Sequence, residues 1–143
     1  MRIYQTDFEG YIKQYGCLFF DLINIASKIS NSKVRKHDVI KIYNKLTDDG
    51  CMNNKCYIKN HEEVLQIILM YFGSDKTVTY SGAQYLESDD SWGSNSGDYM
   101  IMQLNVVGAN SHFVQFDNSN IYNPWRGQME TDGVKSIRYY TIN

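Results

Sequence analysis

The sequence predicts an α+β fold, in which helices fill the first half of the chain and an antiparallel sheet fills the second. Two observations support this order. Apolar residues recur every three or four positions between residues 17 and 72, which is the spacing of amphipathic helices. From residue 77 onward apolar residues tend to alternate with others, as in half-buried strands. Because the 143 residues contain no repeat or linker, we expect a single domain over residues 1–143.

Three helices are expected after a short polar N-terminal segment. The first begins near residue 16 or 17 and ends near residues 30–32, and its broad apolar face predicts a central helix that is buried on most sides. The second covers residues 39–46. The third begins after Asn60, which has the side chain of an N-cap, and ends at Gly73.

The second half of the chain predicts short strands and turns. Residues 112–116 and 121–123 are expected to form a hairpin, with Phe116 opposite Ile121. Residues 87–98 are rich in Ser, Asp and Gly and are expected to form a surface loop. The other predicted strands cover residues 77–80, 100–107 and 136–142.

Composition excludes several classes of partner. The net charge is −2 and the isoelectric point is near 5.9, so no nucleic-acid partner is expected. No apolar run reaches the roughly 20 residues of a membrane span, and the N-terminus lacks the pattern of a signal peptide. We therefore expect a cytoplasmic protein with no membrane partner, whose three cysteines are reduced.

Cys17 is the candidate nucleophile. It lies at the predicted start of the buried helix, where unsatisfied amides and the helix dipole stabilise an anion and lower the pKa of a thiol. The alternative is a small apolar side chain that only fills space. Gln14, three residues earlier, is a candidate partner of the Cys17 amide in holding an oxyanion, or else an exposed polar residue before a helix.

His112 is the candidate base, although a lone histidine at a strand start is more often structural. A hairpin loop over residues 117–120 makes His112 and Asn123 diagonal neighbours on one face, with backbones roughly 5–8 Å apart. Asn123 could then orient the imidazole, while Trp125 on the same face screens their contact from water. Asp117 points away in this register, but a three-residue loop would bring Asp117 to the histidine instead.

The order of these residues resembles the papain-like cysteine peptidases. Gln14 precedes Cys17 at a helix N-terminus, His112 opens a strand and Asn123 follows it. The resemblance implies a papain-like fold, with the nucleophile on a central N-terminal helix and the base on a C-terminal antiparallel sheet. It also implies that the glutamine and the nucleophile's amide form the oxyanion hole, and that the asparagine orients the histidine.

The similarity is strongest to the bacteriocin-leader (double-glycine) peptidases and their small relatives on phage and plasmid genomes. It covers residues 14–26 and 108–127, and those relatives commonly carry aspartate in place of Asn123. Leu18 departs from the residues usual after such a nucleophile. The chain is also shorter than secreted papain-type enzymes.

The resemblance implies a cysteine-dependent hydrolase that cleaves a peptide, isopeptide or cell-wall amide bond. The expected partner is a peptide or protein substrate, including a peptidoglycan peptide, and no cofactor is expected. Trp92 and Trp125 are candidate residues of the substrate cleft. Two alternatives stay open: a catalytically silent papain-like module that binds a host or partner protein, and an acyltransferase that uses the same residues.

One further pattern suggests metal binding. Cys51, Cys56 and His61 are evenly spaced, but a structural zinc site needs four ligands and usually closer cysteine pairs. His37 could supply a fourth ligand, although nothing in the spacing requires it. We therefore expect ordinary thiols here and no metal.

Overall fold

The computed structural model describes residues 1–86, 97–108, 111–118, 120–127 and 129–143. Within these residues four α-helices precede five strands, so the predicted α+β order is confirmed. The helices are α1 (Gly10–Tyr15), α2 (Cys17–Ser30), α3 (Lys36–Asp48) and α4 (His61–Tyr71). The strands are β1 (Val78–Tyr85), β2 (Tyr99–Val106), β3 (Ser111–Phe116), β4 (Ile121–Tyr122) and β5 (Thr131–Ile142).

Helix α2 forms the centre of the molecule, as its broad apolar face predicts. All residues from Phe19 to Ser27 are buried, and the helix packs against α4 on one side and against β3 on another. Asn31 ends the helix in a left-handed conformation. Neither α2 nor any other helix of the described residues is long and apolar enough to cross a membrane.

The remaining helices agree with the sequence except at the N-terminus. The Asn60 side chain accepts a hydrogen bond from the Glu63 amide at 3.0 Å, so the predicted N-cap of α4 is confirmed. A short 3₁₀ turn (Gln5–Asp7) and α1 occupy the polar N-terminal segment, for which the sequence predicts no helix. Ile12 is the one buried residue of α1, so the six-residue helix has no apolar period by which the sequence could predict it.

The five strands form one antiparallel sheet in the order β1-β5-β2-β3-β4. Phe116 pairs with Ile121, so the predicted hairpin register is confirmed. Strand β5 begins at Thr131, before the predicted residue 136, because its polar first residues pair with the end of β2. Strand β1 continues past the predicted residue 80 through an irregularity at Gly82, whose φ is +94°.

Candidate active site

A cavity of about 940 Å³ is lined by the first residues of α2 and of β3. Four of the predicted site residues lie in its wall: Gln14, Cys17, His112 and Trp125. The candidate nucleophile and the candidate base, 95 residues apart in the chain, therefore face the same space. Trp92 lies outside the described residues.

Cys17 is the first residue of α2, and backbone amides surround its sulfur. The backbone amides of Leu18 and of Cys17 itself, at the helix terminus, act to lower the pKa of the thiol. The backbone amide of Phe113, the residue after His112 on β3, acts on this pKa in the same direction. Cys17 and Phe113 line the same cavity, so the thiol and the strand that carries the candidate base lie on its wall together.

Gly16 is the single residue between α1 and α2. A Cβ atom at this position would lie 2.3 Å from the carbonyl oxygen of Ile12, so a side chain would force the two helices apart. The close junction lets Gln14 on α1 and Cys17 on α2 line one cavity. The Gln14 side chain is exposed there, as either sequence interpretation allows.

His112 is buried, and its hydrogen bond to Asn123 fixes the position of its proton. Asn123 Oδ1 accepts from the backbone N–H of Trp125 at 3.0 Å, which identifies this atom as the amide oxygen. The same oxygen lies 2.8 Å from His112 Nε2, so Nε2 must be the donor and must carry the hydrogen. In the neutral imidazole, Nδ1 is then the unprotonated nitrogen and the basic atom of the ring.

Asp117 has a different role from Asn123. Its carboxylate pairs with Lys28 Nζ near the end of α2, and Lys28 also donates to Asn120 Oδ1 at 2.6 Å. One turn earlier on the helix, Asn24 Nδ2 donates to Gln115 Oε1 on β3. These contacts attach α2 to the β3–β4 hairpin, and Asn123 is the residue that contacts His112.

Electrostatics favour neutral forms of both candidate catalytic residues. Burial and, to a smaller extent, the nearby Asp21 carboxylate raise the pKa of the Cys17 thiol to about 12. Burial lowers the pKa of His112, although the hydrogen bond to Asn123 opposes this shift. The lowered thiol pKa expected from the sequence is therefore wrong in its net sign. The helix amides act in the expected direction, but burial outweighs them.

Several residues of the cavity wall were missed by the sequence analysis. Gln5 is 2% exposed, and its Oε1 has no hydrogen-bond partner among the described residues. His61 Nδ1 shares a 2.8 Å hydrogen bond with the hydroxyl group of Tyr140. These residues belong to no recognisable motif, because segments far apart in sequence bring them together. The missed polar residues are Gln5, Lys55, Lys59, His61 and Arg138.

The evenly spaced Cys51, Cys56 and His61 do not meet at a metal site. Cys51 Sγ lies 3.2 Å from a carboxylate oxygen of Glu63, whereas His61 contacts Tyr140. Across the part of the chain that the structure describes, no three His, Cys, Asp or Glu side chains are grouped so that they could hold a metal ion. The spacing of these residues reflects their separate structural contacts.

Comparison with known proteins adds a family but no activity. No curated protein and no solved structure matches the chain. Residues 1–141 match the family described as "Protein of unknown function, DUF261". The match covers every helix, the sheet except the last residue of β5, and every residue of the cavity wall, and the chain belongs to this family.

Proposed function

We propose that the protein is a cysteine-dependent hydrolase of the papain-like kind, which cleaves a peptide, isopeptide or cell-wall amide bond. One observation carries this proposal. Cys17 at a helix N-terminus shares a cavity with His112, and the hydrogen bond to Asn123 leaves Nδ1 of that histidine free to accept a proton. A nucleophile, a base and an orienting residue are the three parts that nucleophilic acyl transfer needs.

The reaction would begin from a neutral thiol and a neutral imidazole. His112 Nδ1 takes the Cys17 proton as the sulfur attacks the amide carbonyl, so the thiolate forms only during attack. The oxyanion accepts hydrogen bonds from the amides at the start of α2 and from the Gln14 side chain. His112 then returns the proton to the leaving amine, and water hydrolyses the thioester in a second step that regenerates the thiol.

The raised pKa of Cys17 favours this general-base route over a preformed thiolate–imidazolium pair. Substrate can also contribute to activation. A bound peptide would displace water from the cavity. Its carbonyl oxygen, placed at the helix N-terminus, would accept hydrogen bonds from the backbone amides there as negative charge develops on it during attack.

An activated ester tests the proposal without knowledge of the natural substrate. We expect N-acetylglycine 4-nitrophenyl ester to acylate Cys17, which mass spectrometry detects as a thioester and absorbance detects as released nitrophenol. Cys17→Ala and His112→Ala should both abolish the fast release of nitrophenol that accompanies this acylation. Cys51→Ala is the matched control and should keep it, because Cys51 lies beside Glu63 and outside the cavity.

The outcome separates the candidate functions. Acylation that depends on both residues, followed by hydrolysis, supports the hydrolase. Acylation that is resolved faster by an added amine than by water would indicate an acyltransferase. If folded protein acylates Cys17 no faster than Cys51, the site is not catalytic, and a papain-like module that binds a partner protein becomes the better explanation.

A further inference from the structure

The cavity that contains Cys17 has a positively charged wall. Its charged side chains are Lys55, Lys59 and Arg138, and no Asp or Glu of the described residues lines it. His61, also in the wall, adds no charge at neutral pH because burial lowers its pKa to about 4. Three cations thus face one cavity in a chain whose net charge is −2.

The three cations come from two separate segments of the chain. Lys55 and Lys59 are exposed and lie in the segment between α3 and α4. Arg138 lies on β5, and its guanidinium packs over the ring of Phe113 with 4.9 Å to the ring centroid. Phe113 and Cys17 line the same cavity, so this contact holds the Arg138 guanidinium at the cavity wall.

The type of these side chains indicates what they can bind. Two flexible lysines at the rim can attract an anion from solution, and an arginine inside the cavity can hold a carboxylate in a fixed orientation. A low-dielectric wall concentrates their field at the mouth of the cavity. None of the three has a salt bridge within the described residues, so no carboxylate there neutralises their charges. Their other contacts are uncharged: Arg138 Nη1 donates to Ser136 Oγ at 2.8 Å, and Lys55 Nζ lies 5.7 Å from the centre of the Tyr11 ring.

We propose that the cavity selects an anionic substrate, in which a carboxylate close to the cleaved amide bond is bound by Arg138, Lys55 and Lys59. An acidic peptide has this chemistry. The catalytic part of this inference rests on the proposed function, whereas the preference for an anion is a separate property of the cavity wall.

Two alkylating reagents of similar size but different charge test the preference for an anion directly. Iodoacetate is an anion and iodoacetamide is neutral, and both consume the same Cys17 thiolate. The ratio of their rate constants therefore does not depend on the pKa of the thiol. We expect this ratio to be several-fold higher at Cys17 than at Cys51, whose neighbour Glu63 repels anions, and to fall with added salt.

Charge variants assign the effect to the cavity wall. Lys55→Gln combined with Lys59→Gln should lower the iodoacetate-to-iodoacetamide ratio at Cys17 several-fold. The matched control combines Lys41→Gln with Lys76→Gln, two exposed lysines outside the cavity, and should leave the ratio unchanged. All four substitutions are on exposed side chains, so the variants are expected to fold.

Each result decides the inference. A higher ratio that the cavity pair lowers and the control pair does not supports an anionic substrate, even if the nitrophenyl ester test fails. Equal ratios at Cys17 and Cys51 overturn the anion preference while leaving the hydrolase proposal intact. If neither reagent alkylates Cys17 in folded protein even at a pH high enough to ionise the thiol, both proposals are overturned, because the cavity would then be closed to small molecules.

Discussion

The carboxyl group of Asp21 lies one helical turn after Cys17 and opposes ionisation of its thiol. Asp21 is completely buried, and neither carboxyl oxygen has a hydrogen-bond partner among the described residues. Burial raises its own pKa well above the usual range, and the nearby backbone of Gln115 offsets this only in part. A second acid thus lies below the candidate nucleophile and stabilises its protonated form.

Replacing Asp21 by Asn should make the Cys17 thiol more acidic. At the high pH where Cys17 titrates, the substitution removes the negative charge that an ionised Asp21 would place beside the thiolate, while keeping a side chain of similar size. We expect the pH profile of Cys17 alkylation by iodoacetamide to move to lower pH, and that of Cys51 in the same molecules to stay in place. An unchanged Cys17 profile would mean that Asp21 does not influence the thiol.

Replacing Asn123 by Asp should raise the pKa of His112. The variant keeps an acceptor for Nε2–H and adds a negative charge that stabilises the imidazolium, whereas Asn123→Leu removes the acceptor and should lower the pKa. Titration of the histidine ring protons by NMR measures both shifts. His37, which is exposed and remote from the cavity, provides the reference, and equal titration of His112 in all three proteins would contradict the assigned hydrogen bond.

Replacing Gly16 by Ala should destabilise the protein by about 1–3 kcal/mol, because the new methyl group meets the backbone oxygen of Ile12. Gly50→Ala is the comparison. That glycine has φ +76° but open space around it, so the cost there is only that of backbone conformation, about 1 kcal/mol. Urea unfolding measures both, and equal losses would show that the α1–α2 junction tolerates a side chain.

The stability of the protein should fall as the pH decreases from about 6.5 to about 4, and His61 should account for much of the loss. The pKa of His61 is about 4 in the folded protein and 6.5 in an unperturbed histidine, as in the unfolded chain. Between these two pH values the unfolded chain binds a proton that the folded chain excludes. A shift of this size corresponds to about 3 kcal/mol at the lower end of the range.

The variant His61→Gln isolates this contribution. It removes the titrating group, so its free energy of unfolding should depend less steeply on pH between these values. His112 titrates in the same direction and remains present in both proteins, so the difference between their pH profiles belongs to His61. Parallel profiles for the two proteins would contradict the lowered pKa.

Local patterns were sufficient to predict most of the fold. The apolar period of α2 and the N-cap at Asn60 depend on neighbouring residues, and both are present where the sequence places them. The pairing of Phe116 with Ile121 follows from a four-residue turn, and it led to the contact between His112 and Asn123. The alternation of side chains between the two faces of short strands was therefore enough to predict the contact between His112 and Asn123.

Other features depend on contacts that no local pattern records. The sign of the Cys17 pKa shift is set by packing around the sulfur and by Asp21, and the helix terminus alone predicts the opposite sign. Arg138 reaches the cavity because β5 pairs between β1 and β2, and Lys55 reaches it from an irregular segment. Predicting such a wall requires the sheet order, which short-range periodicity does not determine.

Helix α2 carries Cys17 at its first residue, and through Lys28 near its last turn it also holds the β3–β4 hairpin in place. The lysine is eleven residues, or about 16 Å, along the helix from the thiol, and it fixes the hairpin whose strand carries His112. The far end of the helix from Cys17 is thus one of the points that fix the hairpin relative to α2. A substitution of Lys28 is therefore expected to disturb the position of His112, although Lys28 lies outside the cavity wall.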